Sequence, residues 1–425
     1  MIGKDDRHAS IYSKAYLLGW SLPLLLFVSP IVSYSDISSG YAWWVLTVVV
    51  AGYAVSVFAS RNAANRRTLR IEHPMRSGSL LQLAVFFSIL SFIGGLLVLS
   101  EQSNFLGGWS FDNLEERYLA LIQSSSEGSA TNSIWSTLGN LMRSVFFVAV
   151  TAIVVYTKIE RSWLRRIVAS AIVAAALLQS FFVNVSRLQF FFFLINAATA
   201  AILVGHPILK QKKWLIAAAV VCVLFLIRTT DQRLASTFDD DSFAATAMVG
   251  LFGADLQPLG EFIVDHLGLS AFILVMYISQ AIPEFVRLVI YNPSPHALGA
   301  HSLFLVVAPI ARVLGSPLTP DMSAISNQGL WWGFLGDMYL DFGAFYFVAY
   351  LCALFVMIRV ARGFESGGVF GLTFRAMTVS MILIIPFTGI FNTYAVSYFV
   401  LLFLAVLEKR SRHLRRPAEL GFKHA

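Results

Sequence analysis

The chain is short of charge and almost without cysteine. Only 13% of its 425 residues are Asp, Glu, Lys or Arg, about half the share that soluble globular proteins carry. That is too little charge to cover the surface of a soluble protein of this length, which excludes the soluble globular class. The two cysteines, Cys222 and Cys352, both fall inside apolar runs. A disulfide framework and a cysteine-rich metal site are therefore excluded as well.

Long apolar runs, by contrast, are abundant. Hydrophobic residues make up 57% of the chain, and its mean hydropathy is +0.71. Ten runs approach the length of about 17–25 residues with which a helix crosses a bilayer. They are 16–34, 41–60, 78–100, 140–157, 167–184, 189–205, 214–227, 333–358, 371–389 and 392–407. Because backbone groups in hydrocarbon must be satisfied internally and the runs do not alternate in polarity, helices are expected. The predicted fold is all-α: one polytopic inner-membrane bundle over residues 1–425, with about ten to twelve transmembrane helices.

The basic residues predict which side each connector faces. The N-terminus, 61–76, 158–166, 206–213, 359–375 and the tail from Glu408 together hold 24 of the 31 Lys and Arg. These connectors alternate with connectors poor in basic residues, as the positive-inside rule requires. Both termini are therefore expected in the cytoplasm. The net charge of +7 follows from this placement, so nucleic acid is not an expected partner.

Residues 228–331 form one large polar excursion between apolar segments. The topology predicts that this excursion is a loop on the outer face, which in a bacterium is the periplasmic side. Its most apolar part, LSAFILVMYISQAIPEFVRLVI, is either an interfacial helix or a further span ended at Pro283. If it is a span, SLFLVVAPIARVL must cross back, and the chain has twelve spans. The connector that follows, YNPSPHALGAH, has no Lys or Arg. Ten spans with two interfacial segments are therefore favoured over twelve.

Every basic residue on the predicted outer face is an arginine, whereas all eight lysines are on the inner side. The outer set is Arg117, Arg143, Arg187, Arg228, Arg233, Arg287 and Arg312. A guanidinium binds phosphate bidentately and keeps its proton, so this face suits a substrate with phosphate at the membrane surface. The predicted phosphate contacts are Arg187, Arg228, Arg233 and Arg117. For Arg117 the alternative is a solvated helix face, and for Arg187 it is snorkelling at the membrane boundary.

Candidate acids and bases lie on either side of the second half of the loop. Asp337 and Asp341 are four residues apart, hence on one face of a helix, just inside the outer boundary. Ionisable groups at such a depth are costly and point to function. Glu284 follows Pro283, and His301 is either a general base near neutral pH or an ordinary loop histidine.

Two further outer features complete the candidate set. Asn392 and Tyr394 lie at the tight outer turn before the last span, at a depth similar to the two aspartates. The acidic triplet 239–241 reads as a solvated turn, because consecutive residues rarely converge on one cation. The histidines lack the partners and spacing of a metal centre, so no metal site is predicted.

Several short motifs resemble the bacterial oligosaccharide repeat-unit polymerases, the Wzy-type family of O-antigen and exopolysaccharide polymerases. They are Tyr277 and Pro283 in YISQAIPEF, Gly299, the sequence Asp341, Phe342 and Gly343 after the outer loop, and Arg187 at the head of a mid-chain span. The likeness covers most of the chain in layout. The lead into the D-F-G here is SNQGLWWGF, where the family commonly has a Thr- or Tyr-rich segment.

This resemblance implies a membrane glycosyltransferase that joins undecaprenyl-pyrophosphate-linked oligosaccharides on the periplasmic face. The arginines would hold the donor pyrophosphate, with Tyr277, Asn392 and Tyr394 nearby in the substrate site. Asp341, Asp337, Glu284 and His301 would serve acceptor binding or proton transfer. The lipid pyrophosphate is already an activated leaving group, so no cofactor is expected. The implied partners are the lipid-linked substrate, membrane lipids, a chain-length regulator and a flippase.

Two other functions remain open on the sequence. An O-antigen ligase would perform the same chemistry with lipid A core as acceptor, and sequence separates the two poorly. A transporter or flippase of lipid-linked sugars would show internal repeats and polar residues at mid-bilayer. The chain shows no repeat, and its polar residues gather on one side.

Overall fold

The computed structural model describes residues 11–34, 39–61, 77–106, 134–184, 187–211, 254–291, 333–365, 367–387 and 390–421, with a few isolated positions between these ranges. Its helices in chain order are α1 (Ile11–Phe27), α2 (Ser39–Arg61), α3 (Ser77–Leu106), α4 (Ile134–Ser144), α5 (Phe146–Ile159), α6 (Trp163–Asn184), α7 (Arg187–Val204), α8 (Pro258–Leu267), α9 (Leu269–Ser279), α10 (Ala281–Tyr291), α11 (Gly333–Phe342), α12 (Tyr346–Arg362), α13 (Val369–Ile384) and α14 (Ile390–Gly421). Two short strands, β1 (Val32–Ser33) and β2 (Asp255–Leu256), pair antiparallel.

The helical membrane class predicted from composition is confirmed. Within the described residues, four helical segments are long and apolar enough to cross a membrane: Trp43–Ser60, Ser77–Glu101, Thr137–Ile159 and Gly333–Arg362. The bent pair α9 and α10 adds a fifth if it counts as one span, and Ile11–Phe27, Phe191–Val204 and Val369–Ile384 are shorter apolar helices. The count of ten to twelve spans stays a prediction.

The chain divides into two compact units, each discontinuous in sequence. Unit 1 comprises Met1–Arg66, Ile216–Val360 and Met381–Ala395, and unit 2 comprises Arg67–Leu215, Ala361–Ser380 and Val396–Ala425.

In unit 1, the segment after α1 packs against part of the predicted outer loop. Val32 pairs with Leu256 and Ser33 with Asp255, and the amide of Gln257 donates to Ser33 Oγ at 2.9 Å. Around this pairing lies a core of buried apolar residues: Ile31, Val32, Val249, Ala254, Val264, Leu269, Phe272, Ile273 and Met276. Burial of side chains of this size stabilises each by about 1.5–3 kcal/mol, so this part of the loop is held onto the α1–α2 connector.

The apolar stretch within the loop folds as two helices rather than one. α9 ends at Ser279, α10 begins at Ala281, and their axes differ by 50°. Pro283 explains the break, because a proline ring clashes with the carbonyl four residues earlier, here that of Ser279, and offers no N–H. Both predicted alternatives stay open, because a helix pair bent at Gln280 is compatible with a membrane-surface or re-entrant element and with one broken span.

In unit 2, α3 packs along α4, α5 and α6, and α5 packs against α7. Gly94 of α3 and Gly139 of α4 let these two helices approach closely. A Cβ atom on Gly139 would lie only 2.6 Å from the Gly94 carbonyl oxygen. Phenylalanine rings fill the α5–α7 contact, with Phe147 and Phe193 centroids 4.6 Å apart. Small residues that allow close approach, with aromatic filling beside them, are a common way for helices to pack in membranes.

One end of α13 is capped by a carboxylate from α14. Glu408 Oε2 accepts from the backbone N–H groups of Gly368 and Gly371, each at 3.0 Å, and Arg412 lies 3.3 Å from Oε1. The first N–H groups of a helix have no partner within it, and its N-terminus attracts negative charge. Glu408 therefore joins the α13 start to α14.

We expect Glu408→Ala to lower the free energy of unfolding by about 1–2 kcal/mol, the typical worth of a helix cap. Thermal unfolding of the purified variant in detergent measures the change. Arg410→Ala is the matched control, since Arg410 is exposed on the same helix. Equal unfolding temperatures for the two variants would contradict the capping role.

His206 holds the end of α7, and its contacts favour the neutral form of the ring. Its Nδ1 accepts from the backbone N–H of Ile208 at 3.2 Å, while Nε2 lies 3.4 Å from the hydroxyl of Thr157, which itself donates to the Ile153 carbonyl. Nδ1 must therefore be unprotonated, with the proton on Nε2. Burial lowers the pKa of His206, and the charges of Lys158 and Arg166 lower it further.

This arrangement predicts loss of stability in acid. The unfolded chain takes up the His206 proton more readily than the folded protein, so stability falls as the pH drops below about 6.5 and levels off below the lowered folded pKa. In His206→Asn the side chain can still accept a hydrogen bond from the Ile208 N–H, but it carries no titrating group. Unfolding temperatures measured from pH 8 to pH 5 should decline less in this variant. Parallel curves for variant and wild type would contradict the assignment.

A buried charged cluster on α10 and α11

α10 carries an ion pair that is almost completely buried. Arg287 Nη1 donates to Glu284 Oε1 at 2.9 Å, with 6% and 1% of the two side chains exposed. The guanidinium also lies 5.5 Å from the ring centre of Tyr34, within the range of a cation–π contact. The spacing of three residues puts both side chains on one face of the helix. Removing two charges almost completely from water has a high desolvation free energy. Proteins retain such buried pairs mainly for specificity or function.

α11 carries the two aspartates predicted from sequence. Asp337 is 2% exposed and Asp341 is fully buried, so the predicted shared face points into the protein. Gly333 starts the helix with φ of 65°, and the Phe334 N–H donates to the Ile385 carbonyl at 3.0 Å. A Cβ on Gly333 would meet the Pro386 carbonyl oxygen at 2.5 Å, so this position requires glycine.

A layer of aromatic rings links the two helices. α10 packs against α11, and the hydroxyl of Tyr339 donates to the Val289 carbonyl at 3.4 Å. Trp44 of α2 stacks on Phe285 of α10 with ring centres 5.2 Å apart, and it meets Tyr346 of α12 edge to face at 5.7 Å. Since each of these rings contacts another, the two charged helices are held in a fixed arrangement.

We call Glu284, Arg287, Asp337 and Asp341 the acidic site. All four side chains are buried in unit 1, on two helices that pack together. Three carboxylates and one guanidinium leave an excess of negative charge when all are ionised. Carboxylates in such a setting are suited to accept a proton from a substrate hydroxyl or to bind it by hydrogen bonds.

The remaining predicted residues fall in several places. Tyr394 is buried in the first turns of α14, and Asn392 and Tyr277 lie on α14 and α9 respectively. Arg187 is the first residue of α7, which belongs to unit 2. The other four predicted residues lie outside the described residues: Arg117, Arg228, Arg233 and His301.

Arg287 is one of the predicted outer arginines, but it is absent from the predicted site residues. The signal that identifies it is the spacing in Glu-Phe-Val-Arg, because a carboxylate and an arginine three residues apart on a helix can pair. The pairing offsets part of the desolvation cost of the two charges, so Arg287 can be buried. Its burial distinguishes it from an arginine on a solvated loop.

Within the part of the chain that the structure describes, no group of three or more His, Cys, Asp or Glu side chains is arranged to hold a metal ion. The acidic site has three carboxylates on two helices, but they are not gathered around one point.

No protein-family model, no curated protein sequence and no solved structure matches this chain. The likeness to the Wzy-type polymerases therefore rests on the motifs themselves and stays a prediction.

Proposed function

We propose that the chain is a membrane glycosyltransferase that polymerises undecaprenyl-pyrophosphate-linked oligosaccharide repeat units, as an O-antigen or exopolysaccharide polymerase. The observation that carries the proposal is the acidic site. Its two helices flank residues 292–332 of the predicted outer loop, its three carboxylates are buried, and Glu284 is paired with Arg287. The proposed setting is the bacterial inner membrane, with ten to twelve spans, both termini cytoplasmic and the 228–331 loop periplasmic.

In the proposed reaction an acceptor hydroxyl oxygen attacks the anomeric carbon of the donor sugar. A glycosidic C–O bond forms, the bond from that carbon to the pyrophosphate oxygen breaks, and the lipid pyrophosphate leaves with the bonding electrons. The acceptor proton passes to a carboxylate of the acidic site, with Asp341 as first choice, or to His301. Arginines stabilise the negative charge of the leaving group, the proposed contacts being Arg187, Arg228, Arg233 and Arg117.

Contacts between connectors support the proposed topology. Lys158 donates to the Val204 carbonyl, and Glu408 binds the amides of Gly368 and Gly371. Both contacts join connectors or span ends on the side assigned to the cytoplasm. β1, at the outer end of the run 16–34, pairs with β2 in the excursion assigned to the periplasm. Each contact is between segments on the same side, as alternating spans require.

The test is reconstitution of the purified protein in proteoliposomes with a synthetic lipid-linked repeat unit. A ladder of products, each longer by one unit, supports the polymerase. A single transfer when lipid A core is supplied, without a ladder, supports the O-antigen ligase instead. Absence of transfer to either acceptor would overturn the proposal.

We expect Arg187→Lys to abolish or strongly reduce polymerisation while expression is maintained. Lysine keeps the charge but cannot form two parallel hydrogen bonds to phosphate. Ladder formation by membranes containing matched amounts of each protein measures the effect. Arg166→Lys, at a connector assigned to the cytoplasm, is the control and should remain active. Normal activity of Arg187→Lys would remove this residue from the mechanism.

A further inference from the structure

A cleft of about 430 Å³ opens where α2 meets α10, and two of the residues that line it are aromatic. Gly40, Tyr41 and Trp44 of α2 line it together with Val289 of α10. The volume lies within the range of about 300–1,000 Å³ that is typical of small-ligand sites. All four residues belong to unit 1, and none of them was part of the predicted site.

Trp44 is held rigidly at this cleft. Its indole stacks on Phe285 with an angle of 16° between the ring planes, while Tyr346 packs against it at 73°. Tyr41 lies one helical turn away, with its ring centre 6.4 Å from that of Trp44 and almost perpendicular to it. Two aromatic side chains at a fixed angle thus border one opening.

The cleft shares α10 with the acidic site. The Val289 carbonyl accepts the Tyr339 hydroxyl, so the wall of the cleft is joined to α11, the helix that carries Asp337 and Asp341. Phe285, on which Trp44 stacks, belongs to the same helix as Glu284. A ligand in the cleft would therefore contact one of the two helices of the acidic site.

We propose that this cleft is a sugar-binding subsite in which a pyranose ring stacks on Trp44, with Tyr41 at its edge. The C–H face of a pyranose is apolar and slightly positive, so it complements the negative face of an aromatic ring. Rigid aromatic residues also bind at a low entropic cost. The subsite rests on the proposed function and adds to it, because it places a sugar of the lipid-linked oligosaccharide against α10, the helix that carries Glu284.

Sugar binding is tested by saturation-transfer NMR on the purified protein in nanodiscs. The probes are the methyl pyranosides of glucose, galactose, mannose and N-acetylglucosamine, each without lipid or pyrophosphate. We expect saturation of ring C–H protons for at least one probe. Trp44→Ala should weaken that binding about tenfold, and Trp44→Phe should retain most of it.

Trp43→Ala is the matched control, because Trp43 is the neighbouring residue but is 70% exposed on α2. It should bind the probes as the wild type does. Val289→Phe is a second variant, and it keeps the packing around Trp44. Its larger ring fills the cleft, so it should abolish the saturation-transfer signal of the pyranosides. Binding by none of the four probes, or unchanged binding in both Trp44→Ala and Val289→Phe, overturns the subsite.

The outcome does not depend on the polymerase reaction. Trp44-dependent binding without any product ladder would support the subsite and contradict the proposed function. A normal ladder with unchanged KM in Trp44→Ala and Val289→Phe would contradict the subsite and leave the function in place.

Discussion

Replacing Arg287 with methionine is expected to destabilise the folded protein by about 3–5 kcal/mol, the usual cost of leaving one partner of a buried ion pair without the other. Methionine matches the length of the arginine stem, so the loss arises mainly from removing the positive charge that pairs with Glu284. That carboxylate has 1% of its side chain exposed and cannot regain water without opening the helix contacts around it. Thermal unfolding in detergent measures the change.

The double variant Glu284→Gln with Arg287→Met separates charge from packing. Removal of both charges leaves no unpaired ion, so the double variant should be markedly more stable than Arg287→Met alone. Arg165→Met serves as the control, because the Arg165 side chain is 74% exposed and its salt bridge contributes little. If Arg287→Met unfolds at the wild-type temperature, the pair has no structural role.

Asp341→Asn is expected to slow chain extension about 10²- to 10⁴-fold, the usual contribution of a general acid or base. Asparagine has the size of aspartate and forms hydrogen bonds, but it cannot accept a proton at neutral pH. The initial rate of ladder formation measures the effect.

Two comparisons make this second prediction specific. Asp265→Asn changes an exposed carboxylate on α8, within the same predicted outer loop, and should leave the rate unchanged. Asp337→Asn tests which aspartate accepts the proton, and the one whose loss has the larger effect on rate is assigned that role. A wild-type rate for Asp341→Asn in correctly folded protein would remove Asp341 from the chemistry.

The parts of the fold that depend on local sequence could be predicted. The long apolar runs predicted helices, because a membrane-spanning helix needs only sufficient length and low polarity. The predicted helix that carries Asp337 and Asp341 is present, and it is buried on every side from Gly333 to Asp341. The apolar stretch of the loop breaks at Gln280, three residues before the predicted end at Pro283.

Features that depend on contacts between distant segments could not be predicted. Glu408 caps α13 from forty residues away, and a pattern within one helix cannot show which N-terminus a remote carboxylate will reach. The β1–β2 pairing involves two residues per strand, too few for alternation to be visible. The cleft at Trp44 arises because α2 meets α10, whereas in sequence Trp44 is simply one of several aromatic residues in an apolar run.

The central claim is that this chain joins lipid-linked repeat units by displacing their lipid pyrophosphate. The most direct test is to count undecaprenyl pyrophosphate released against glycosidic bonds formed, with the purified protein and one synthetic repeat unit in proteoliposomes. The account predicts one undecaprenyl pyrophosphate for each bond formed, with release strongly reduced in Asp341→Asn. No release, with no product longer than the supplied unit, would contradict it.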